Sequence, residues 1–330
     1  MKFLFNTLLL LFFASMLLSQ DTFSIVAVDP QTGEVGSAGA SCVDLNGFNL
    51  PADFLGQLFP GLGAINTQAW YSQFNQNNAA NRLQAGDTPQ EVIDWLVAND
   101  VGSNPALRQY GIAALIEGSS QTAAHTGSAT DDWKGHLVGD NYAIQGNILL
   151  GGFVLDSMEA NFNNTQGSLS DKLMAAMQGA NVVGADERCT VNGTSSLFAF
   201  LKVAQPDDEQ GDPSLVLGVI TADGDGIEPI DSLQNLYDEW SLVNTFSPDQ
   251  THSKQISIYP NPASEVLNFS IAETMPASIE VFDQSGKLRY FIEKPATNNL
   301  NVKDLVPGIY FLKVKAISGQ VYLKRFVVGR

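Results

Sequence analysis

From Thr22 to Val28 the chain is apolar on both alternating faces: Phe23, Ile25 and Ala27 point one way, Val26 and Val28 the other. A strand of that kind predicts a sheet covered on both sides. Asp29-Pro30-Gln31-Thr32-Gly33 is turn chemistry, and residues 34–42 return as a strand of very small side chains, so the pair predicts a hairpin. Further strands are expected at 63–70, 110–116, 122–126, 142–145, 195–203 and 214–220. Helical spacing marks 75–84, 89–98, 149–162, 169–178 and 232–242. Thr88 with Glu91, and Ser168 with Asp171, have the spacing of helix-start caps, and Pro89 suits a first helical position. The order is strands, two helices, strands, two helices, strands. It predicts an α+β domain of two stacked sheets with helices outside and does not suit a regular βαβ array.

Past residue 255 the pattern changes. Short strands at 256–259, 266–271, 278–282, 289–292, 299–302, 309–315 and 322–328 are separated by Pro and Gly turns, the spacing of a small β-sandwich. Charge changes at the same place: residues 255–330 hold nine Lys/Arg and six Asp/Glu, net +3, and the rest carries −21. Residues 243–255, with Pro248, several Ser and Thr and no periodicity, read as a linker. At the other end, Lys2 precedes an almost wholly apolar stretch at 3–18, which reads as a secretory signal peptide cut after Ser19 or Gln20. The expected organisation is a signal peptide (1–20), a mixed domain (21–242), a linker (243–255) and an all-β domain (256–330).

The net charge of −18 over 330 residues argues against nucleic acid or an anionic membrane as main partner, because phosphate binding needs clustered Lys and Arg. No long apolar run follows the signal segment, so no integral span is expected once it is removed. Cys42 and Cys189 are the two cysteines. Export brings them to an oxidising compartment, where they either form a bridge or stay two small core residues; the compartment favours the bridge. His125 and His136 lie near Asp131, Asp132 and Asp140 without a named ligand spacing, and Asp223-Gly224-Asp225-Gly226 lacks the downstream Glu of a calcium loop. No metal and no organic cofactor is expected. Trp70, Tyr71 and Phe74 read as core rather than as a sugar-stacking platform.

Several motifs carry a resemblance. Thr22-Phe23-Ser24-Ile25-Val26-Ala27-Val28-Asp29-Pro30 with Gly33-Glu34-Val35-Gly36 opens the first domain. Gly63-Ala64-Ile65-Asn66-Thr67-Gln68-Ala69, Arg108-Gln109-Tyr110-Gly111, Thr126-Gly127, Gln145-Gly146-Asn147-Ile148-Leu149 and Gly184-Ala185-Asp186-Glu187-Arg188 follow. This order resembles an uncharacterised bacterial family, domain of unknown function 1028, placed among N-terminal-nucleophile (Ntn) hydrolase-like proteins. It covers about residues 21–242 and implies a four-layer αββα sandwich. In the second domain, Tyr259-Pro260-Asn261-Pro262, Val281-Phe282-Asp283-Gln284-Ser285-Gly286-Lys287, the stretch 305–314 and Lys324-Arg325-Phe326-Val327-Val328 resemble the type A sorting domain of type IX secretion, an Ig-like sandwich. That likeness implies the secretion machinery as a partner, transport across the outer membrane, and a secreted or cell-surface protein.

An Ntn likeness implies hydrolysis of a small amide or a peptide. The position matching the nucleophile is Thr22, whose hydroxyl attacks a carbonyl while its own α-amine acts as base. That amine must be free, so activity requires a cut between Asp21 and Thr22. Ser24 and Cys42 are weaker nucleophile candidates. Ser41 is a candidate aid to proton transfer, and Gln68, Gln145 and Asn147 are candidate donors to an oxyanion. Asp186 and Arg188 are a candidate buried ion pair, either orienting the site or, the favoured reading, purely structural. The chain departs from the family pattern where Cys42 follows Ser41 and over residues 189–195. The other reading is a non-catalytic surface or ligand-binding protein that keeps the fold alone.

Overall fold

The computed structural model describes residues 19–20, 22–48, 50–245, 256–271, 276–283, 288–295, 297–317 and 321–329. The expected signal peptide lies outside the described residues except for its last two positions, as does the expected linker from residue 246 onward. The described residues form two compact units that divide between Gln234 and Asn235.

The first unit runs β1 (Ser19–Gln20), β2 (Thr22–Val28), β3 (Val35–Ser41), β4 (Gly56–Phe59), β5 (Gly63–Trp70), α1 (Gln73–Gln84) and α2 (Pro89–Ala98). It continues through β6 (Arg108–Ile116), β7 (Ser119–Thr126), β8 (Gly135–Val138), β9 (Tyr142–Gly146), α3 (Phe153–Asn164), α4 (Leu169–Gly179), β10 (Phe198–Ala204) and β11 (Leu215–Ile220). Helix α5 (Pro229–Thr245) crosses the division between the units. One antiparallel sheet has the order β1-β5-β6-β7, with β4 also on β5; the other has the order β11-β10-β3-β2-β9-β8. The sheets lie face to face, with β2 against β5 and β6. Helices α1 and α2 pack on the outer face of the first sheet, and α3 and α4 on the outer face of the second. The layers are therefore helix, sheet, sheet, helix.

Local chemistry explains this arrangement. The Asp29 side chain accepts the Gln31 N–H at 2.8 Å and the Asp29 carbonyl accepts Gly33, which closes the hairpin. All residues of β2 and β3 are buried, as two covered faces require. On the helix-facing side of β3 stand Gly36, Ala38 and Ala40, paired with Ala27, Ile25 and Phe23. A Cβ on Gly36 would fall 3.3 Å from Leu169 Cδ2 and closer still to Leu173 Cδ1, so small residues here let α4 approach. Both anticipated capping boxes are present, at Thr88/Glu91 and Ser168/Asp171.

The layer between the sheets changes character along the strands. At one end Val26, Val28, Val35, Leu58, Ala64, Ala113 and Ala143 make an apolar cluster. Toward the other end the inward positions become Ser24, Gln68, Gln109 and Gln145, all buried, and then Thr22 and Ser41.

Four elements differ most from expectation. The helix expected from residue 149 starts at Phe153, because Ile148 takes a left-handed backbone (φ +49°) and the N–H groups of Leu149 and Leu150 go to the carbonyls of Trp133 and Ala185. Helix α5 reaches Thr245, three residues into the expected linker. Strands β4 and β8 were not anticipated; each is four residues long, and β8 is the edge of its sheet.

The second unit holds the strands β12 (Ser257–Tyr259), β13 (Val266–Ser270), β14 (Pro276–Asp283), β15 (Leu288–Glu293), β16 (Asn299–Asn301), β17 (Gly308–Ala316) and β18 (Val321–Val328). They make a three-stranded sheet, β12-β13-β16, and a four-stranded sheet, β15-β14-β17-β18. Leu267, Phe269 and Leu300 from the first join Ile279, Val281, Leu312, Val314 and Phe326 from the second in one core. No helix among the described residues is long and apolar enough to cross a membrane.

Candidate active site

The register of the β2–β3 hairpin pairs Thr22 with Ser41 at the end of the sandwich where β2 begins. On the other side of β2, Asn147 follows β9, and its backbone N–H donates to the Thr22 carbonyl at 3.1 Å. From the facing sheet, Gln68 Nε2 donates to the same carbonyl at 3.0 Å. Cys42, next to Ser41, donates its N–H to Asp186 Oδ2 at 2.8 Å. Asp186 in turn binds Arg188 through Nε at 3.1 Å and Nη2 at 2.8 Å. Thr22, Ser41, Gln68, Asn147, Asp186 and Arg188, far apart in sequence, are thus linked at one end of the fold. Arg188 is a third exposed, whereas the other five are buried.

Behind this cluster runs a polar seam. Gln68 and Gln109 are cross-strand partners in one sheet, Ser24 and Gln145 in the other. Ser24 Oγ donates to Gln68 Oε1 at 2.5 Å, Gln145 Nε2 donates to Ser24 Oγ at 2.6 Å, and Gln68 Nε2 donates to Gln109 Oε1 at 2.7 Å. Gln109 Nε2 reaches the Gly146 carbonyl at 2.8 Å and Thr126 Oγ1 at 2.9 Å, and Thr126 Oγ1 lies 2.9 Å from His136 Nδ1. Burial, and secondarily His125, hold the His136 ring below the usual histidine range. Buried amides are costly unless paired; here Gln68 bonds Gln109 directly and Gln145 through Ser24, while Gln145 Oε1 is buried without a partner. The Ser24 hydroxyl is both donor and acceptor inside this seam.

Cys42 and Cys189 form a disulfide, with Cα atoms 5.7 Å apart, which removes Cys42 as a nucleophile. The bridge and the Cys42–Asp186 hydrogen bond tie the end of β3 to the 3-10 turn Glu187–Thr190. Burial pushes the Asp186 carboxyl above the usual range, against the opposing pull of Arg188 and the Cys42 N–H. Backbone strain gathers at the same place. Ala69 (φ +64°) follows Gln68, and Ile148 (φ +49°) follows Asn147. Such conformations cost non-glycine residues about 1–3 kcal/mol each and concentrate at functional sites.

A second buried network escaped the sequence reading. Arg108 Nε donates to Asp100 Oδ2 at 2.8 Å, Asn75 Nδ2 bonds both Asp100 and the Tyr110 hydroxyl, and Arg108 Nη1 reaches the Trp70 carbonyl. It anchors the end of β5, beside Ala69. An arginine heading the strand Arg108–Ile116 was the available signal.

A cleft of about 580 Å³ lies toward the opposite end of the strands, lined by Asp53, Gln57, Lys202, Glu209 and Gln210 among others. Lys202 Nζ there donates to Asp53 Oδ2 at 2.8 Å and to the carbonyls of Gly56 and Asp53 at 2.6 and 3.3 Å, so its donors are committed to structure. Among the described residues, no three His, Cys, Asp or Glu side chains gather to hold a metal ion. Phe74 was read as core but is 69 % exposed, because it sits on the solvent side of the first turn of α1.

Residues 22–225 match the model of a family of unknown function, DUF1028. The chain belongs to that family. Residues 257–329 match a secretion system C-terminal sorting domain, which supports export of the DUF1028 domain. The crystal structure of protein SPO2555 from Silicibacter pomeroyi, described under DUF1028, aligns with a TM-score of 0.51 at 26 % identity, over 67 % of this chain and 89 % of that one. The Anbu (Gly-1) mutant from Hyphomicrobium sp. strain MC1 aligns with a TM-score of 0.37 at 13 % identity, over 69 % and 98 % of the two chains. At that distance the likeness says nothing of chemistry. No curated protein matches the chain.

Proposed function

We propose that the DUF1028 domain is an N-terminal-nucleophile amide hydrolase, exported by type IX secretion, with Thr22 as both nucleophile and base. The observation that carries this reading is the convergence of Ser41, Gln68, Asn147 and, through Cys42, Asp186 on the head of β2. A cut between Asp21 and Thr22 frees the α-amine. Thr22 Oγ then attacks the substrate's amide carbonyl carbon, and its proton passes to that amine. The tetrahedral oxyanion takes a hydrogen bond from the Asn147 side-chain amide. Collapse breaks the C–N bond, the leaving amine takes the proton, and water hydrolyses the Thr22 ester to a carboxylic acid. Gln68 is a positioning residue, since its amide protons go to the Thr22 carbonyl and Gln109. Ser41 stands across from Thr22 to assist proton transfer, and the Asp186–Arg188 pair holds the end of β3.

The exported protein should begin at Thr22 by mass spectrometry. Thr22→Ala should abolish amide turnover, while Thr22→Ser retains it. An active protein that starts upstream of Thr22 would overturn the mechanism. The complete burial of Thr22 favours the rival reading, a binding module that keeps the fold alone. That reading predicts ligand or cell-surface adhesion unchanged by Thr22→Ala.

A further inference from the structure

The two residues of β1 belong to a different sheet from the strand that follows them. Ser19 pairs with Trp70 and Gln20 with Ala69 on β5, while Thr22 opens β2 in the facing sheet. On that edge of β5, β4 covers Gly63 to Asn66, and the Thr67 N–H goes to the Leu55 carbonyl. Ala69 also pairs with Arg108 of β6 on the opposite side, and on this edge only β1 pairs with Ala69–Trp70 among the described residues. That stretch is built rather than frayed. Ala69 is fully buried at φ +64°, and the Trp70 carbonyl is held by the Arg108–Asp100–Asn75 network. A short strand edge beside the head of β2 is covered by backbone that a cut before Thr22 would release.

We propose that this edge is the substrate's binding strand, and that β1 holds its place in the uncut chain. The substrate class that follows is an extended peptide, bound through its main chain, with at least two residues on the acyl side of the bond to be cleaved. The geometry sets that polarity. Ser19 and Gln20 precede Thr22 in the chain, so they occupy the acyl side of the very bond whose cleavage frees the amine. A peptide whose carbonyl meets Thr22 Oγ would run its preceding residues antiparallel along Ala69–Trp70, adding a strand as β1 does. A compact non-peptide amide could not use the edge. The leader thereby competes with substrate until it is removed.

The inference rests on Thr22 as the nucleophile, and its test separates the two ideas. Full chains starting at Ser19 and at Thr22 are compared by hydrogen exchange over residues 63–72. The Thr22-start chain should exchange at Ala69–Trp70 at least tenfold faster. Millimolar acetyl-Ser-Gln-Asp amide should restore protection, and the same peptide N-methylated at Gln should not. Equal exchange in the two chains, or no restoration by the peptide, overturns the proposal whatever the activity. In parallel, coumarin amides carrying one, two or three acyl-side residues are assayed with the Thr22-start chain. A tenfold or greater rise in kcat/KM from one residue to three supports it, and turnover independent of acyl length overturns it. Restored protection without turnover of any amide would leave the binding strand standing and sink the hydrolase reading alone.

Discussion

Gly111 faces Gln145 across the two sheets, so close that a Cβ on residue 111 would fall 2.5 Å from Gln145 Cδ and 2.8 Å from its Nε2. Gln145 is also the residue that donates to Ser24. Gly111→Ala should therefore drive Gln145 off Ser24 and cost about 1–3 kcal/mol, the usual range for overpacking a tight core. The urea midpoint should fall without a change in slope. Adding Gln145→Ala should cost less in the Gly111→Ala background than alone, because the two residues share one space.

Gln68 joins four groups from both sheets. Gln68→Leu is close in volume but removes the acceptor of the Ser24 hydroxyl and the donor to Gln109 Oε1, while the Thr22 carbonyl keeps its bond from the Asn147 N–H. Each buried group left unsatisfied costs about 1–3 kcal/mol. Denaturant unfolding should show a larger loss than for a comparable polar-to-apolar change on the surface. If Gln68→Leu matches the native midpoint, the seam contributes nothing to stability.

Two buried carboxylates should give opposite pH signatures. Asp186 titrates above its ordinary value of 3.8 in the folded chain. As pH rises through that value, the unfolded chain loses its proton first, so the stability Asp186 confers at low pH is lost by the time pH passes its folded pKa. Asp186→Asn should remove that downward component. For Asp100, burial alone would raise the value, but the Arg108 side chain and the Asn104 N–H pull it below 3.8. Its contribution is present above that value and lost as pH falls through the lower, folded pKa. Asp100→Asn should flatten the acid limb. Unfolding midpoints from pH 2 to 7 for the native chain and both variants check the two signs.

The Cys42–Cys189 bridge closes a separation of 147 residues. Chain entropy alone assigns such a loop about 5 kcal/mol. Cys42→Ser with Cys189→Ser should lower stability on that scale, and reduction of the native protein should do the same. The double variant should also lower activity, because the end of β3 and the Asp186 turn lose one of their two ties. Activity that survives in a still-folded double variant would show that the other tie, Cys42 N–H to Asp186, suffices.

Much of the first unit was legible because its pattern is locally redundant. Gly63–Trp70 and Pro89–Ala98 match their expected bounds, since a covered strand and a capped amphipathic helix each mark their own ends. The start of α3 was not legible. Residues 149–152 have helical spacing, but the N–H groups of Leu149 and Leu150 serve carbonyls far away in sequence. Strands β4 and β8 are too short to show a period, and only partners elsewhere in the chain make them strands. Within the candidate site, Thr22, Asn147 and Asp186 were visible as polar residues at strand or loop ends. The seam was only half visible. Gln68 and Gln145 stood out among small apolar neighbours, and Gln109 had the same character but drew no role. What joins them is inter-sheet register, which no single strand carries.

The long span of the disulfide also fixes an order of assembly. A polypeptide made from its amino end delivers Cys42 early and Cys189 only when most of the DUF1028 domain has emerged. Until then Cys42, at the end of β3, has no Asp186 turn to close against. A copy truncated before residue 189 therefore keeps an open β3 end, and the covalent latch forms only once that part of the domain is made.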